Sequence, residues 1–287
     1  MKKHLLFVAG ILLLSHSYGQ GLYVKVGGGY ALPMGSQSLI EPTTATEIVG
    51  NASIVTSTTT VVKGSYGAGI VINGAVGYKF SPFIGLDLNL CYQIGKEFEG
   101  TTKLTDGFGT TFMIKETQKS QGIFAAPTLM FMAGTEGVRP YGVVGVILGS
   151  VKLEENTTSL FDDGDVPVNS SFKRETKGDL AFGFRGGIGV DINISDRFSV
   201  FVEGIFNAIS YYPKKSEIVE ALVDGNDVLD DSAVSDRETV YVDELTVVTV
   251  NNVENVDRNQ PSQELRSPRP LSSVGLNAGL KIKLGSD

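Results

Sequence analysis

Two segments of the chain alternate apolar residues with polar residues or glycine at a period of two. In residues 84–94 the even positions are Ile, Leu or Tyr, and the odd positions are Gly85, Asp87, Asn89, Cys91 and Gln93. Residues 180–194 follow the same rule, with one gap at Gly186. A period of two indicates a β-strand with one apolar face. Both segments exceed the average strand of about 5–6 residues and match the roughly 9–11 residues of a membrane-spanning β-strand.

Together with turn residues, this pattern divides the chain into eight predicted strands. They cover residues 21–32, 64–80, 83–98, 119–133, 138–153, 178–194, 197–212 and 271–284. Hairpin-sized gaps alternate with long connections, which lie at about 33–63, 99–118, 154–177 and 213–270. The strict alternation of short and long connections predicts an all-β fold. We expect a transmembrane antiparallel up-and-down β-barrel with short periplasmic turns and long extracellular loops. Two further strands within residues 239–250 would make ten.

The N-terminus has the layout of a secretory signal peptide. Lys2 and Lys3 precede an apolar run over residues 5–14, and the small residues Ser17 and Gly19 follow it. We therefore predict a signal peptide at 1–19 and one barrel domain at 20–287; a short N-terminal anchor is the alternative. Later segments fall short of the roughly 20 apolar residues that a membrane helix needs. A membrane-bound mature chain would therefore have to be a closed barrel.

Three short motifs add a resemblance to a known family. They are GYKFSPF at 77–83, RPYG at 139–142 and SDRF at 195–198. With the loop pattern, they resemble the small eight-stranded outer-membrane barrels of the OmpA/OmpX-like superfamily, in particular the Bacteroidota "outer membrane protein beta-barrel domain" proteins. The last strand is similar to the assembly signal that the barrel-insertion machinery of Gram-negative bacteria reads, at Asn277, Gly279, Ile282 and Leu284. The resemblance implies an outer-membrane location, and the loop pattern places both chain termini in the periplasm.

The polar faces of the strands supply the candidate functional residues. Arg185 and Glu203 lie at similar distances from the turn at 195–196, so we predict an ion pair between them inside the barrel. The predicted lumen network also contains Lys25, Asn73, Asp87, Asn89, Gln93 and Asn207. Further inward ionisable residues are Lys79, Asp191, Lys281 and Lys283. Eight-stranded barrels fill their interior with side chains, and buried charges need partners, which favours a closed lumen over a gated pore.

Composition argues against several classes of function. The net charge of −8 disfavours nucleic acid as a partner. Both histidines, His4 and His16, fall in the predicted signal peptide, so a histidine-dependent mechanism is unavailable to the mature chain. The single cysteine, Cys91, cannot form an internal disulfide. We therefore predict a protein that is not an enzyme, with no catalytic residues, no cofactor and no metal site.

The longest predicted loop, 213–270, is strongly acidic. It contains thirteen Asp and Glu against six Lys and Arg. Both a solvated, variable loop and a surface for a ligand or cation fit this charge. We predict a non-enzymatic outer-membrane protein in contact with membrane lipid, whose loops serve a structural or adhesion role or contact an extracellular ligand. The alternatives are a porin-like narrow channel for small solutes and a soluble periplasmic β-protein.

Overall fold

The structure is a computed structural model. It describes residues 21–284 apart from 36, 49–53, 135–136, 165, 247–248, 251–252 and 255–256. The predicted signal peptide therefore lies outside the described residues. Most of the described chain is β-strand, and its one helix, α1, is the short segment Val234–Arg237. Among these residues, helical structure is too short to cross a membrane.

Twenty-one strands follow one another along the described residues. Their bounds are β1 Gly21–Pro33, β2 Gln37–Ile40, β3 Thr43–Ile48, β4 Ile54–Thr59, β5 Val62–Gly64, β6 Gly69–Lys79, β7 Ile84–Gly95, β8 Phe98–Thr105, β9 Thr111–Met132, β10 Val138–Asp162, β11 Val168–Gly178, β12 Ala181–Asn193, β13 Phe198–Tyr211, β14 Pro213–Val223, β15 Asn226–Asp227, β16 Glu238–Val242, β17 Thr249–Val250, β18 Val253–Glu254, β19 Ser262–Leu265, β20 Arg269–Pro270 and β21 Ser273–Lys283.

The predicted count of eight strands is wrong. Over the described residues the main sheet contains 17 strands, and two small sheets contain two strands each. The surplus arises because the long connections that were predicted as loops fold largely into strands. The segment 99–118, for example, forms most of β8 and the first part of β9, which pair with each other from Phe98↔Gln118 to Thr105↔Thr111.

Long antiparallel strands close part of the main sheet into a ring. Hydrogen-bonded pairing runs from β1 to β6, β7, β9, β10, β12, β13 and β21. β21 then pairs with β1 from Tyr23↔Lys283 to Pro33↔Ser273, which completes the circuit. Each of these strands therefore has a hydrogen-bonded neighbour on both sides, and we call this part of the sheet the closed ring.

Short turns lie at one end of the closed ring, which we call the turn end. Between β6 and β7, the Ser81 hydroxyl accepts hydrogen bonds from the backbone N–H groups of Phe83 and Ile84. Ser195 accepts a matching bond from the N–H of Phe198 between β12 and β13. Side-chain oxygens that cap backbone donors in this way stabilise tight turns. Part of the β9–β10 turn, residues 135–136, lies outside the described chain.

At the opposite end, the loop end, the sheet continues beyond the ring. β9 is 22 residues long and β10 is 25 residues long, so both extend past their ring neighbours. Their outer parts pair with β8 and β11, and further pairing adds β3, β4, β14, β16 and β19. We call this extension the canopy sheet. β16 belongs to it, and β17 pairs with β18 in a separate sheet, so the described residues of 239–250 do not add strands to the closed ring.

The predicted alternation separates an outer face of the ring from an inner face. On β7 the even positions are exposed and the odd positions are buried from Gly85 to Gln93. On β12 Phe182 and Phe184 are exposed, whereas Arg185 and Asp191 are buried. On these two strands the alternating apolar side chains therefore lie outside the ring, and the charged side chains lie inside it.

Proline interrupts one ladder of the ring. The β9–β10 pairing runs up to Gly145↔Thr128 and resumes at Leu148↔Ala125. Pro127 lies in this gap, and it has no N–H to donate. A Cβ on Gly145 would lie 2.1 Å from the Pro127 carbonyl oxygen, so glycine is the residue that allows the two backbones to approach here.

Candidate functional site in the closed ring and canopy

Charged side chains cluster inside the closed ring near its turn end. Asp191 Oδ2 lies 2.9 Å from Arg139 Nη2 and also contacts Lys281 Nζ. Lys25 Nζ lies 2.8 Å from Asp87 Oδ2. These side chains are at most 5% exposed. Each pair joins different strands, so the ion pairs tie β1 to β7 and tie β10 and β21 to β12.

A second polar group lies further along the interior and includes the predicted ion pair. Arg185 Nη2 lies 3.7 Å from Glu203 Oε1, and both side chains are at most 4% exposed. The Tyr141 hydroxyl donates to Glu203 Oε2 at 3.0 Å, and Asn277 Nδ2 lies 3.5 Å from Glu203 Oε1. Arg185 Nη1 lies 3.5 Å from Asn207 Oδ1. Three of the predicted lumen residues thus meet here, together with Tyr141 and Asn277.

The other predicted lumen residues lie in separate contacts rather than in one network. Asn89 Nδ2 donates to Thr128 Oγ1 at 3.2 Å. Gln93 Nε2 donates to the backbone carbonyl of Tyr66 at 2.7 Å. Asn73 is 4% exposed, and its Oδ1 has no hydrogen-bond partner within the described structure. All eight predicted residues are directed inward, but they form several groups spread along the interior.

Large side chains occupy the space between these polar groups. One cluster lies near the turn end and consists of Tyr23, Met130, Met132, Tyr141, Val143 and Ile205. A second lies toward the loop end and includes Tyr66, Phe124, Ile147, Val151, Leu153 and Tyr211. Most of them come from β9, β10 and β13. The sequence does not show which residues of β9 and β10 point inward, because both faces of these strands are apolar.

A short segment folds across the loop end of the ring. We call residues 65–68, between β5 and β6, the Tyr66 strap. Its Tyr66 N–H donates to the Pro270 carbonyl at 2.8 Å, and its Tyr66 carbonyl accepts from Gln93 and from Ser120, each at 2.7 Å. The Tyr66 hydroxyl donates to Gln118. Because these partners come from several strands, the strap is fixed over the lumen. The strand predicted at 64–80 is therefore wrong over 65–68, where these contacts hold the chain outside any strand.

Above the strap, the canopy sheet encloses a polar cavity of about 120 Å³, which we call the chamber. Glu155 on β10 stands in register between Gln118 on β9 and Arg174 on β11. Tyr66 borders the chamber on the side of the strap, and Glu154, Tyr241, Glu264 and Arg269 also line it. The chamber was not predicted, because most of its residues lie on segments that were assigned to three different loops, and Tyr66 lies in the strand predicted at 64–80.

The charged groups of the chamber influence one another at longer range. Burial raises the pKa of the Glu155 carboxyl, and Glu116 and Glu264 add to the rise. Arg174 and Arg269 act in the opposite direction without cancelling it. Glu155 lies beyond Gly149, the last residue of β10 that pairs with β12, so it belongs to the canopy rather than to the ring.

Residues of the predicted assembly signal lie on β21 and just after it. Asn277 points inward to Glu203. Gly279 leaves no room for a side chain, because a Cβ there would lie 2.2 Å from the carbonyl oxygen of Val26. Leu284 is 56% exposed and Ile282 is partly exposed. Their recognition by the insertion machinery stays a prediction. Within the described residues, acidic, His and Cys side chains do not gather into a group that could hold a metal ion.

Comparisons with known proteins give weak similarities. No protein-family model matches the chain, and no curated protein matches it. The crystal structure of CarO2 from Acinetobacter baumannii is 13% identical, with 91% of this chain and 99% of that chain covered and a TM-score of 0.30. The crystal structure of CarO from the same organism is 14% identical, with 90% of this chain and 97% of that chain covered and a TM-score of 0.30. Similarities with this sequence identity and TM-score do not identify a fold or a function.

We expect Asp191→Asn to destabilise the folded protein by about 3–5 kcal/mol, because the substitution leaves Arg139 and Lys281 buried without their carboxylate. Asp179→Asn is a matched control: Asp179 also contacts two cations, Lys214 and Arg266, but it is 47% exposed. Its loss should cost less than about 1 kcal/mol. Urea unfolding in detergent, followed by tyrosine fluorescence, measures both. Equal costs for the two variants would contradict this account of the interior.

We expect Glu155→Gln to stabilise the protein at neutral pH. A raised pKa means that the folded state binds the proton more tightly, so stability falls as the pH rises above the ordinary glutamate value of about 4.3. The variant removes this cost, and its advantage should vanish below that pH. Unfolding midpoints measured from pH 3 to pH 8, at intervals of about one pH unit, test the trend. Glu99→Gln, at an exposed salt bridge, controls for charge removal, and an advantage of Glu155→Gln at low pH would refute the prediction.

Proposed function

We propose that this chain is an integral outer-membrane β-barrel protein of the OmpA/OmpX-like kind with a closed lumen. The observation that carries the proposal is the distribution of side chains across the closed ring. Outside the ring, Leu90 is 58%, Ile188 is 76% and Leu276 is 68% exposed. Inside it, Asp191 and Lys281 are fully buried. A protein dissolved in water has the opposite arrangement, whereas a barrel in lipid has this one.

The backbone of the ring meets the main requirement of a lipid environment. Lipid offers no hydrogen-bond partners, so N–H and C=O groups must pair within the protein. The pairing from β1 around to β21 provides these partners. The shortest ring strands, β6 and β21, are 11 residues long, which is sufficient for the roughly 9–11 residues of a tilted spanning strand.

The two ends of the ring suggest an orientation. In outer-membrane barrels, short turns face the periplasm and long connections face the outside. By this rule the canopy sheet and chamber lie outside the cell, and Gly21 and Leu284 lie at the periplasmic rim, where the Leu284 N–H donates to the Leu22 carbonyl. The signal peptide at 1–19 and the use of the insertion machinery belong to the same proposal.

The role that we propose is ligand contact at the cell surface, without catalysis. The canopy sheet is a rigid platform outside the ring, and acidic side chains such as Asp230 and Asp243 are highly exposed on its connections. The filled interior and the Tyr66 strap argue for a plug rather than a passage. A porin-like narrow channel is the competing function.

We expect Leu88→Arg to impair insertion, because a charge on the lipid-facing surface of a barrel costs about 2–4 kcal/mol near the membrane midplane. Leu265→Arg is the control, since Leu265 is 58% exposed but lies on the canopy strand β19; its effect should stay within about 0.5 kcal/mol. Folding into lipid vesicles, scored by heat-modifiable mobility in detergent gels, compares the two. A wild-type chain that is monomeric and soluble without detergent would favour the soluble β-protein instead.

The closed lumen predicts the absence of a steady open conductance when the folded protein is reconstituted in planar lipid bilayers. The physical reason is that the aromatic side chains and the Tyr66 strap occupy the path between the two ends of the ring. Single-channel recording, with a known porin as the positive control, makes the measurement. A reproducible open state would overturn the plug and support the channel.

A further inference from the structure

We propose that the chamber binds one neutral sugar ring, such as the terminal unit of a glycan at the cell surface. The inference rests on the proposed function, because it requires the canopy to face the outside. The chamber lies between strands β9, β10 and β11 of the canopy sheet on one side and strands β16, β19 and β20 on the other. The residues that line the chamber include Tyr66, Glu155, Arg174, Tyr241, Glu264 and Arg269.

Charge balance in the chamber favours a neutral ligand. Glu155 and Arg174 come from β10 and β11, and Glu264 and Arg269 come from β19 and β20 on the other wall. Glu154 also borders the chamber, but its carboxylate is already paired with Lys119 and Lys152. Apart from Glu154, each wall supplies one carboxylate and one guanidinium. A ligand with a net charge would leave an excess charge in a partly buried space, which is costly. A neutral polar ligand leaves the balance unchanged.

The positions of the charged groups also distinguish a polyhydroxyl ligand from a zwitterion. Glu155 and Arg174 are direct cross-strand neighbours, so opposite charges alternate within one wall instead of occupying opposite ends. Within the described residues, direct ion pairs of 4.0 Å or less do not join the four charged groups to one another. A hydroxyl group both donates and accepts hydrogen bonds, so one sugar hydroxyl can bridge a carboxylate and a guanidinium.

Tyrosines supply the apolar part of the site. Tyr66 is 5% exposed and Tyr241 is 7% exposed, and both border the chamber. Aromatic rings with a polar tip suit ligands that combine C–H faces with hydroxyl groups. Since a buried water needs about 10–15 Å³, a chamber of about 120 Å³ holds several waters that one sugar ring can displace.

The experiment uses the full chain folded in detergent. D-glucose, D-galactose, D-mannose and N-acetyl-D-glucosamine are titrated separately, and binding is followed by calorimetry and by saturation-transfer NMR. We expect saturable binding of at least one sugar. Arg174→Gln and Glu155→Gln should each weaken it about tenfold or more, because each removes a charge-assisted hydrogen bond. Arg258→Gln, at an arginine that is 74% exposed and does not line the chamber, should leave binding unchanged.

Several outcomes would overturn the inference. Failure of all four sugars to bind a folded, heat-modifiable protein would remove it while leaving the membrane barrel intact. Equal binding by wild type, Arg174→Gln and Glu155→Gln would show that the sugar sits elsewhere. Displacement of the sugar by glycine would assign the chamber to zwitterions. Because Glu155→Gln is expected to be more stable at neutral pH, loss of binding in that variant would not reflect misfolding. A soluble, non-heat-modifiable chain would count against the proposed function, and the same titration on it would judge the chamber separately.

Discussion

Closure of the sheet through β1 and β21 is the constraint on which the rest of the structure depends. The two strands pair over their whole common length, from Tyr23↔Lys283 to Pro33↔Ser273, and this single seam gives the sheet an inside and an outside. Every inward residue must then find its partners among other inward residues. Arg139 and Asp191 are cross-strand neighbours on β10 and β12, whereas Lys281 on β21 contacts Asp191 on the inner face although β13 lies between their strands.

The ring strands could be predicted to different extents for a definite physical reason. Where one face is apolar and the other is polar, as at 84–94, the alternation predicts both the strand and which of its side chains point inward. β9 and β10 are apolar on both faces within the ring, so their inward residues could not be identified. Canopy strands escaped prediction because Thr, Ser and Lys at positions such as 168–178 are also typical of loops. Their strand character comes from backbone pairing with β10 and β14.

Some residues of the candidate site could likewise be predicted from the sequence, and others could not. Arg185 and Glu203 could be placed on the inner faces of two strands joined by one tight turn. The register pairs Arg185 with Asn207 and Glu203 with Gly189, so the two side chains meet along the interior rather than directly across from each other. Nothing comparable reveals the Tyr66 strap. Its partners Gln93, Ser120 and Pro270 lie far from it in sequence, and its own residues fall in the strand predicted at 64–80. The chamber depends on the same long-range contacts, so both features appear only once the canopy sheet is assembled.

Tyr66 connects the interior of the closed ring with the chamber. Its backbone is held by polar groups at the loop end of the ring, whereas its side chain borders the chamber and donates to Gln118. Movement of this residue to open a path through the ring would therefore break bonds to several strands and remove part of the chamber wall. In the proposed function, these contacts suit a surface that holds a ligand better than a pore that admits one.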